Sequence, residues 1–165
     1  MKTIGVGVIG TAFMGKAHSI AYAAAGSVFG DGLRPNLEII CDYNPDRAEV
    51  MRKEMGFARC TSTWMDVVND PKVQLISVCV PNSLHKEISV AALKAGKHVW
   101  CEKPMSTNLA DSKAMFTAAQ ASNAHTILGY NYTQNPAVQS ARKLIDEGII
   151  GRVIGFYGSL SLIHI

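Results

Sequence analysis

Hydrophobic positions along this chain fall into short continuous runs separated by amphipathic stretches. The first run, Ile4-Gly5-Val6-Gly7-Val8-Ile9, leads into Gly10-Thr11-Ala12-Phe13-Met14-Gly15, and residues 16–26 are Ala-rich and suited to a helix. A run without polar alternation predicts a strand covered on both faces, as parallel strands are. Further runs predict strands at residues 37–42, 57–60, 73–80, 97–101, 125–130 and 152–158. Helices are expected between them. One spans residues 46–55, with Asn44 as cap, Pro45 in its first turn and Gly56 as its stop. The others cover 63–69, 83–95 with Ser83 as cap and Gly96 as stop, 108–122, and 136–147 before Gly148. Residues 26–36 hold three glycines and a proline and read as a long loop. Strands alternating with helices predict an α/β fold, a doubly wound parallel sheet.

The glycines after the first strand are the first candidate chemistry. Gly5-Val6-Gly7-Val8-Ile9-Gly10 fits G-x-G-x-x-G letter for letter. That frame would put Val6, Val8 and Ile9 in a phosphate loop and leave no strand before it. In the frame beginning at Gly10, the strand comes first, Gly10 makes the tight turn, and Gly15 lets the helix pack on the strand. The helix N-terminus then offers free N–H groups to a pyrophosphate. Ala12 places a methyl where a glycine would let the backbone approach the phosphates. A plain strand-turn-helix without ligand is the competing reading.

With 165 residues the chain is expected to be one domain, or one domain and part of another. A hydrophobic fraction of 48% supports a core, and a net charge of +3 with scattered Lys and Arg argues against nucleic acid as partner. No apolar stretch is long enough to predict a membrane span, and Met1-Lys2 leads into a strand without a signal-peptide cleavage site. Cys41, Cys60, Cys79 and Cys101 fall near strand ends, with no C-x-x-C pair or Cys/His cluster. They predict reduced core thiols of a cytoplasmic protein, and no metal site.

In an open parallel sheet, ligands bind beyond the carboxyl ends of the strands, and the polar candidates collect there. A carboxylate at Asp42 would accept both ribose hydroxyls of an adenosine and repel a 2′-phosphate. Tyr43 and Asn44 follow, with no Arg immediately beside it, which favours NAD over NADP. Asp42 as a mere turn cap is the alternative. Pro81-Asn82-Ser83-Leu84-His85 should line the middle of the cleft, although His85 alone reads as a satisfied helix-start histidine. In Glu102-Lys103-Pro104 the proline biases Lys103 toward extended backbone at a strand's carboxyl end, aiming it into the cleft. A solvated strand-end lysine is the plainer reading.

Together these segments resemble the family that includes glucose–fructose oxidoreductase, inositol dehydrogenase and MocA. The resemblance runs from Ile4 to about Gly158. It is carried by Gly10-Thr11-Ala12-Phe13-Met14-Gly15-Lys16-Ala17-His18, by Pro81-Asn82-Ser83-Leu84-His85, and by Ala95-Gly96-Lys97-His98-Val99-Trp100-Cys101-Glu102-Lys103-Pro104. Gly129-Tyr130-Asn131-Tyr132 with Asn135-Pro136-Ala137 looks like the family's crossing into its second domain. The resemblance implies a Rossmann domain over residues 1–130, followed at 131–158 by the start of an α+β substrate domain. It implies hydride transfer between NAD and a secondary alcohol of a sugar or cyclitol, and a homo-oligomer in the full-length protein. Lys103 would be the catalytic lysine, with Glu102 and Asn82 at the nicotinamide end and His18 near it. Gly10, Thr11, Ala12, Phe13, Met14, Asp42, Pro81, His85 and Asn131 would complete the cofactor contacts.

Hydride transfer needs a base for the hydroxyl proton. Lys103 would take that proton or polarise the hydroxyl for another base. The family also supplies an Asp and a His four residues apart in its second domain. Here Asp111 leads to Met115 and Asp146 to Ile150. Residues 159–165 fit the family poorly and resemble translated adapter read-through, which predicts a non-native tail on a gene fragment; a deliberately excised domain is the other reading. Two further classes compete. A non-catalytic dinucleotide sensor is opposed by Lys103 beside Glu102. A methyltransferase is opposed by the phosphate-facing helix start and the Glu-Lys-Pro segment.

Overall fold

The computed structural model describes residues 2–30 and 32–158. The chain divides into two units, Met1–Gly129 and Tyr130–Ile165. In the first, the elements follow the order β1 (Thr3–Ile9), α1 (Phe13–Val28), β2 (Arg34–Cys41), α2 (Pro45–Met55), β3 (Arg59–Thr61), α3 (Trp64–Asn69), β4 (Leu75–Val78), α4 (His85–Lys94), β5 (His98–Cys101), α5 (Leu109–Gln120) and β6 (Thr126–Leu128). The six strands are parallel and lie in the order β3-β2-β1-β4-β5-β6. Winding reverses between β1 and β4, so the crevice at a sheet's switch point opens beyond their carboxyl ends.

The two faces of the sheet carry separate cores, because alternate residues of a strand point to opposite sides. Ile9, Ile39, Ile76, Val78, Val99 and Cys101 pack with residues of α3, α4 and α5. Val6, Val8 and Ile40 pack with Tyr22 of α1, Met51 of α2 and Phe57. The continuous apolar runs of the sequence are thus split between two layers. Gly7 is a strand residue pressed by that packing: a Cβ on it would lie 2.4 Å from Val67 Cγ1. This supports the frame that starts the phosphate turn at Gly10.

Local signals explain most boundaries. The Asn44 side chain accepts from the N–H groups of Asp46 and Arg47, and Gly56 ends α2 at φ +79. Two expectations need correction here. The predicted loop 26–36 shrinks, because α1 continues to Val28 and β2 begins at Arg34. Pro35 is tolerated inside β2 because β3 pairs only with Ile39–Cys41, leaving that edge of β2 open. Ser83 does not cap a helix: it lies in a 3-10 turn, Asn82–Leu84, where the Leu84 N–H donates to Pro81 O at 2.9 Å. Helix α4 begins only at His85, without a side-chain cap.

In the second unit a 3-10 turn, Asn131–Gln134, precedes α6 (Pro136–Asp146), whose Asn135 cap accepts from the Ala137 N–H at 2.9 Å. The strand expected at 152–158 is absent. No described residue pairs with that segment, and a strand exists only through its ladder with a neighbour. The expected tail, residues 159–165, lies outside the described residues. Val138, Leu144, Ile145, Ile149 and Val153 are each at least 43% exposed. Such apolar surface drives association. The chain should therefore sediment as more than a monomer and enhance the fluorescence of a hydrophobic dye. A dye-silent monomer would contradict this.

Among the described residues no helix is long and apolar enough to cross a membrane. Nor does any group of three His, Cys, Asp or Glu side chains there have the arrangement to hold a metal ion.

Candidate functional site

The crevice starts at the glycine turn. Gly10 sits at φ +103, and a Cβ there would lie 2.3 Å from Cys79 O. Both the backbone conformation and the close approach of the segment after β4 demand glycine. A Cβ on Gly15 would lie 1.9 Å from Gly10 O, so the first turn of α1 packs directly on the loop. Ala12 is the cap residue, at φ −70 and ψ −169, a conformation open to any residue. This explains how alanine stands where glycine is commoner. No side chain caps α1, and its first internal bond is Lys16 N–H to Ala12 O, 3.1 Å. The N–H groups of Phe13, Met14 and Gly15 therefore have no acceptor within the helix. Uncapped N–H groups at the positive end of a helix are a donor set that fits an anionic pyrophosphate. Gly10→Ala should lower stability by about 1–3 kcal/mol, because strain at positive φ adds to the clash. A denaturation midpoint equal to wild type would contradict this reading of the turn.

Asp42 follows β2 and is only 7% exposed. Its carboxylate accepts from the Thr11 hydroxyl, joining the glycine turn to the end of β2. It also accepts from the Asn44 N–H at 3.0 Å. The expectation that no arginine stands beside it needs correction: Arg47 Nη2 lies 3.3 Å from Asp42 Oδ1. The same guanidinium sits 5.0 Å from the centre of the exposed Tyr43 ring. Arg47 stands in the first turn of α2, just past the bend that follows Asp42, a proximity that linear inspection passes over.

Beyond β4 and β5, Pro81, Asn82 and Lys103 are all exposed, and the Lys103–Pro104 peptide is cis. His85 has a different role from the one expected. It is 0% exposed, and its ring nitrogens lie 2.8 Å from Pro104 O and 2.9 Å from Val80 O. It ties the Glu-Lys-Pro loop to the end of β4 and has no surface to offer a ligand. Asn131 opens the 3-10 turn of the second unit.

Glu102 is 6% exposed and has His18 Nε2 at 3.1 Å. His18 Nδ1 lies 3.0 Å from Ser77 Oγ, which is 2.7 Å from the Tyr22 hydroxyl. Trp100 lies against this chain, its ring centre 4.6 Å from that of His18. Sequence inspection missed Tyr22, Ser77 and Trp100. The available signals were a serine inside an apolar strand and His18 four residues before Tyr22 on one helix face. Burial lowers the pKa of His18 from its ordinary value against the pull of Glu102, and raises that of Tyr22 to about 12. Burial also raises Cys41 to about 12 and Cys101 to about 11. These thiols stay protonated, as core packing rather than reactivity requires.

A family model described as an oxidoreductase family, NAD-binding Rossmann fold, matches residues 4–130. Levoglucosan dehydrogenase of Pseudarthrobacter phenanthrenivorans is 41% identical over 160 residues, which is 96% of this chain and 41% of that protein. Myo-inositol 2-dehydrogenase of Thermotoga maritima is 29% identical over 147 residues, 89% of this chain and 42% of the relative. The solved structure of levoglucosan dehydrogenase in complex with NADH and levoglucosan superposes with a TM-score of 0.88 at 41% identity, covering 92% of this chain and 41% of that one. The structure of scyllo-inositol dehydrogenase from Lactobacillus casei, with bound NAD(H) and scyllo-inositol, gives a TM-score of 0.80 at 26% identity, covering 91% of this chain and 43% of that one. The chain spans about two-fifths of the length of these relatives.

Proposed function

Because the chain belongs to the Gfo/Idh/MocA family of oxidoreductases, whose NAD-binding Rossmann fold occupies residues 4–130, we propose that it is the cofactor-binding part of a sugar or cyclitol dehydrogenase. The observation that carries this reading is that three features lie beyond the carboxyl ends of the strands. They are the uncapped start of α1, the buried carboxylate of Asp42, and Lys103 just past β5. NAD, when bound, supplies the hydride acceptor.

The N–H groups of Phe13, Met14 and Gly15 hold the pyrophosphate, and Gly10, Thr11 and Ala12 shape the turn beneath it. Asp42 accepts the adenosine ribose hydroxyls, the interaction that favours NAD over NADP. Pro81, Asn82 and Glu102 border the nicotinamide end. Lys103 takes the alcohol proton or holds the hydroxyl polarised for a second group. Levoglucosan and inositols are the substrates named for the relatives, which supports a ring secondary alcohol as the reacting group. After Lys103 the sequence contains no Asp with a His four positions on. The chain by itself should hold cofactor without turnover.

Titrating the chain with NADH by fluorescence tests this. Saturable binding is expected, and Ala12→Gly should leave it intact or slightly tighter, since the Ala12 backbone is unstrained. Absent binding would overturn the proposal. A large loss in Ala12→Gly would mean that the turn holds something else.

A further inference from the structure

The hydroxyl and imidazole hydrogens behind Glu102 can be assigned by counting donors. The Tyr22 hydroxyl has one hydrogen and one hydrogen-bond partner, Ser77 Oγ at 2.7 Å. An O–H buried without an acceptor is costly, so Tyr22 donates to Ser77. Ser77 is itself fully buried, and its single hydrogen then goes to its other partner, His18 Nδ1 at 3.0 Å. With Nδ1 accepting, the ring hydrogen lies on Nε2 and is donated to Glu102 Oε1 at 3.1 Å. The reverse direction would strand the tyrosine hydrogen and require a protonated Glu102.

A second proton on His18 meets the same obstacle. An N–H at Nδ1 would need Ser77 as acceptor, and the hydrogen of Ser77 or Tyr22 would lose its partner. The Trp100 ring packs against the imidazole with its plane tilted by 57°, and Tyr22 is edge-on to Trp100 at 90°. A Cβ on Gly129 would lie 2.3 Å from Glu102 Oε1, so a glycine is needed to make room for the carboxylate. Among the described residues no lysine or arginine pairs with Glu102. Of the titratable groups, Glu102 acts directly on His18, and the buried thiol of Cys79 acts on its neighbour Tyr22.

We propose that Tyr22, Ser77 and His18 form a one-way donor chain holding Glu102 as a charged carboxylate without a cationic partner, with His18 as a positioning residue. The inference rests on the functional reading above for what the charge does. Beside the nicotinamide end, a fixed negative charge stabilises the cationic oxidised ring over the neutral reduced one. The domain then binds NAD+ more tightly, relative to NADH, than it would without Glu102.

Two measurements test this on the intact chain. Long-range proton–nitrogen NMR correlation should find His18 neutral at neutral pH, with its hydrogen on Nε2. An Nδ1–H tautomer or an imidazolium would overturn the donor chain. Calorimetry should then give the ratio of NAD+ to NADH dissociation constants. Glu102→Gln should raise that ratio about five- to tenfold, the size of one charge pair about 3–4 Å apart when screened as in water. His18→Phe should raise it in the same direction, because the carboxylate loses the N–H donor that holds it in place. His18→Gln, which keeps an N–H donor, should restore most of the wild-type ratio. A wild-type ratio in folded Glu102→Gln would overturn the role of the charge. If His18→Phe fails to fold, the tautomer of wild-type His18 decides the donor chain and the Glu102→Gln ratio decides the role of the charge. Failure of the wild-type chain to bind either cofactor would sink the functional reading, while the NMR result would still judge the donor chain.

Discussion

In the full-length protein, Lys103→Ala should lower kcat by about a hundredfold to ten-thousandfold while changing NADH affinity by less than about threefold. The split follows from where the lysine stands. It is exposed beyond β5, on the far side of β4 from the glycine turn and Asp42, in the sheet order β2-β1-β4-β5. The groups assigned to the pyrophosphate and ribose do not include it, so removing its ammonium leaves that binding in place. The proton that leaves with the hydride then loses its acceptor or its polarising charge. Absorbance of NADH reads turnover, and calorimetry reads affinity on the same preparation. Equal losses in both would mean that Lys103 merely holds cofactor. Wild-type turnover would overturn the proposed mechanism.

NADP should bind this chain at least about a hundredfold more weakly than NAD, and Asp42→Ala should remove most of that gap. A 2′-phosphate would place its charge within about 5 Å of the Asp42 carboxylate. At an effective dielectric near 20 this costs about 3 kcal/mol, or over a hundredfold in affinity. Arg47, 3.3 Å from Asp42, is the opposing influence. The carboxylate wins for a physical reason. It is buried and fixed by Thr11 and Asn44, whereas the guanidinium is half exposed, screened by solvent and engaged with Asp42. Asp42→Ala frees that guanidinium for the phosphate, so NADP binding should improve in absolute terms. Adding Arg47→Ala should cancel the gain. Equal affinities for the two cofactors in wild type would sink the role of Asp42. A gain that survived Arg47→Ala would sink the role of Arg47.

The glycine turn, Asp42 and the Glu-Lys-Pro segment were legible because each is a local arrangement. Strand, turn and helix start lie within fifteen residues, and a strand's carboxyl end is marked where its apolar run stops. Periodicity likewise separates strands from helices, since a covered parallel strand and an amphipathic helix differ within one turn of chain. The boundaries that failed depended on partners. Pro35 fits inside β2 because β3 is short, and residues 152–158 form no strand because nothing described lies beside them.

What the sequence by itself determined is the order of elements in the first unit, the doubly wound sheet and the glycine turn between β1 and α1. Only the tertiary structure decided which side chains meet there. His18 and Glu102 are 84 residues apart, and His18 and Ser77 are 59 apart. They come together because α1 covers the sheet face to which Ser77, Trp100 and Glu102 all point. His85 looked like a cleft residue and became a buried tie, and Arg47 looked remote and became the partner of Asp42. Local propensity constrains backbone direction over a few residues, whereas burial, pairing and hydrogen-bond direction are set by distant chain that packs against them.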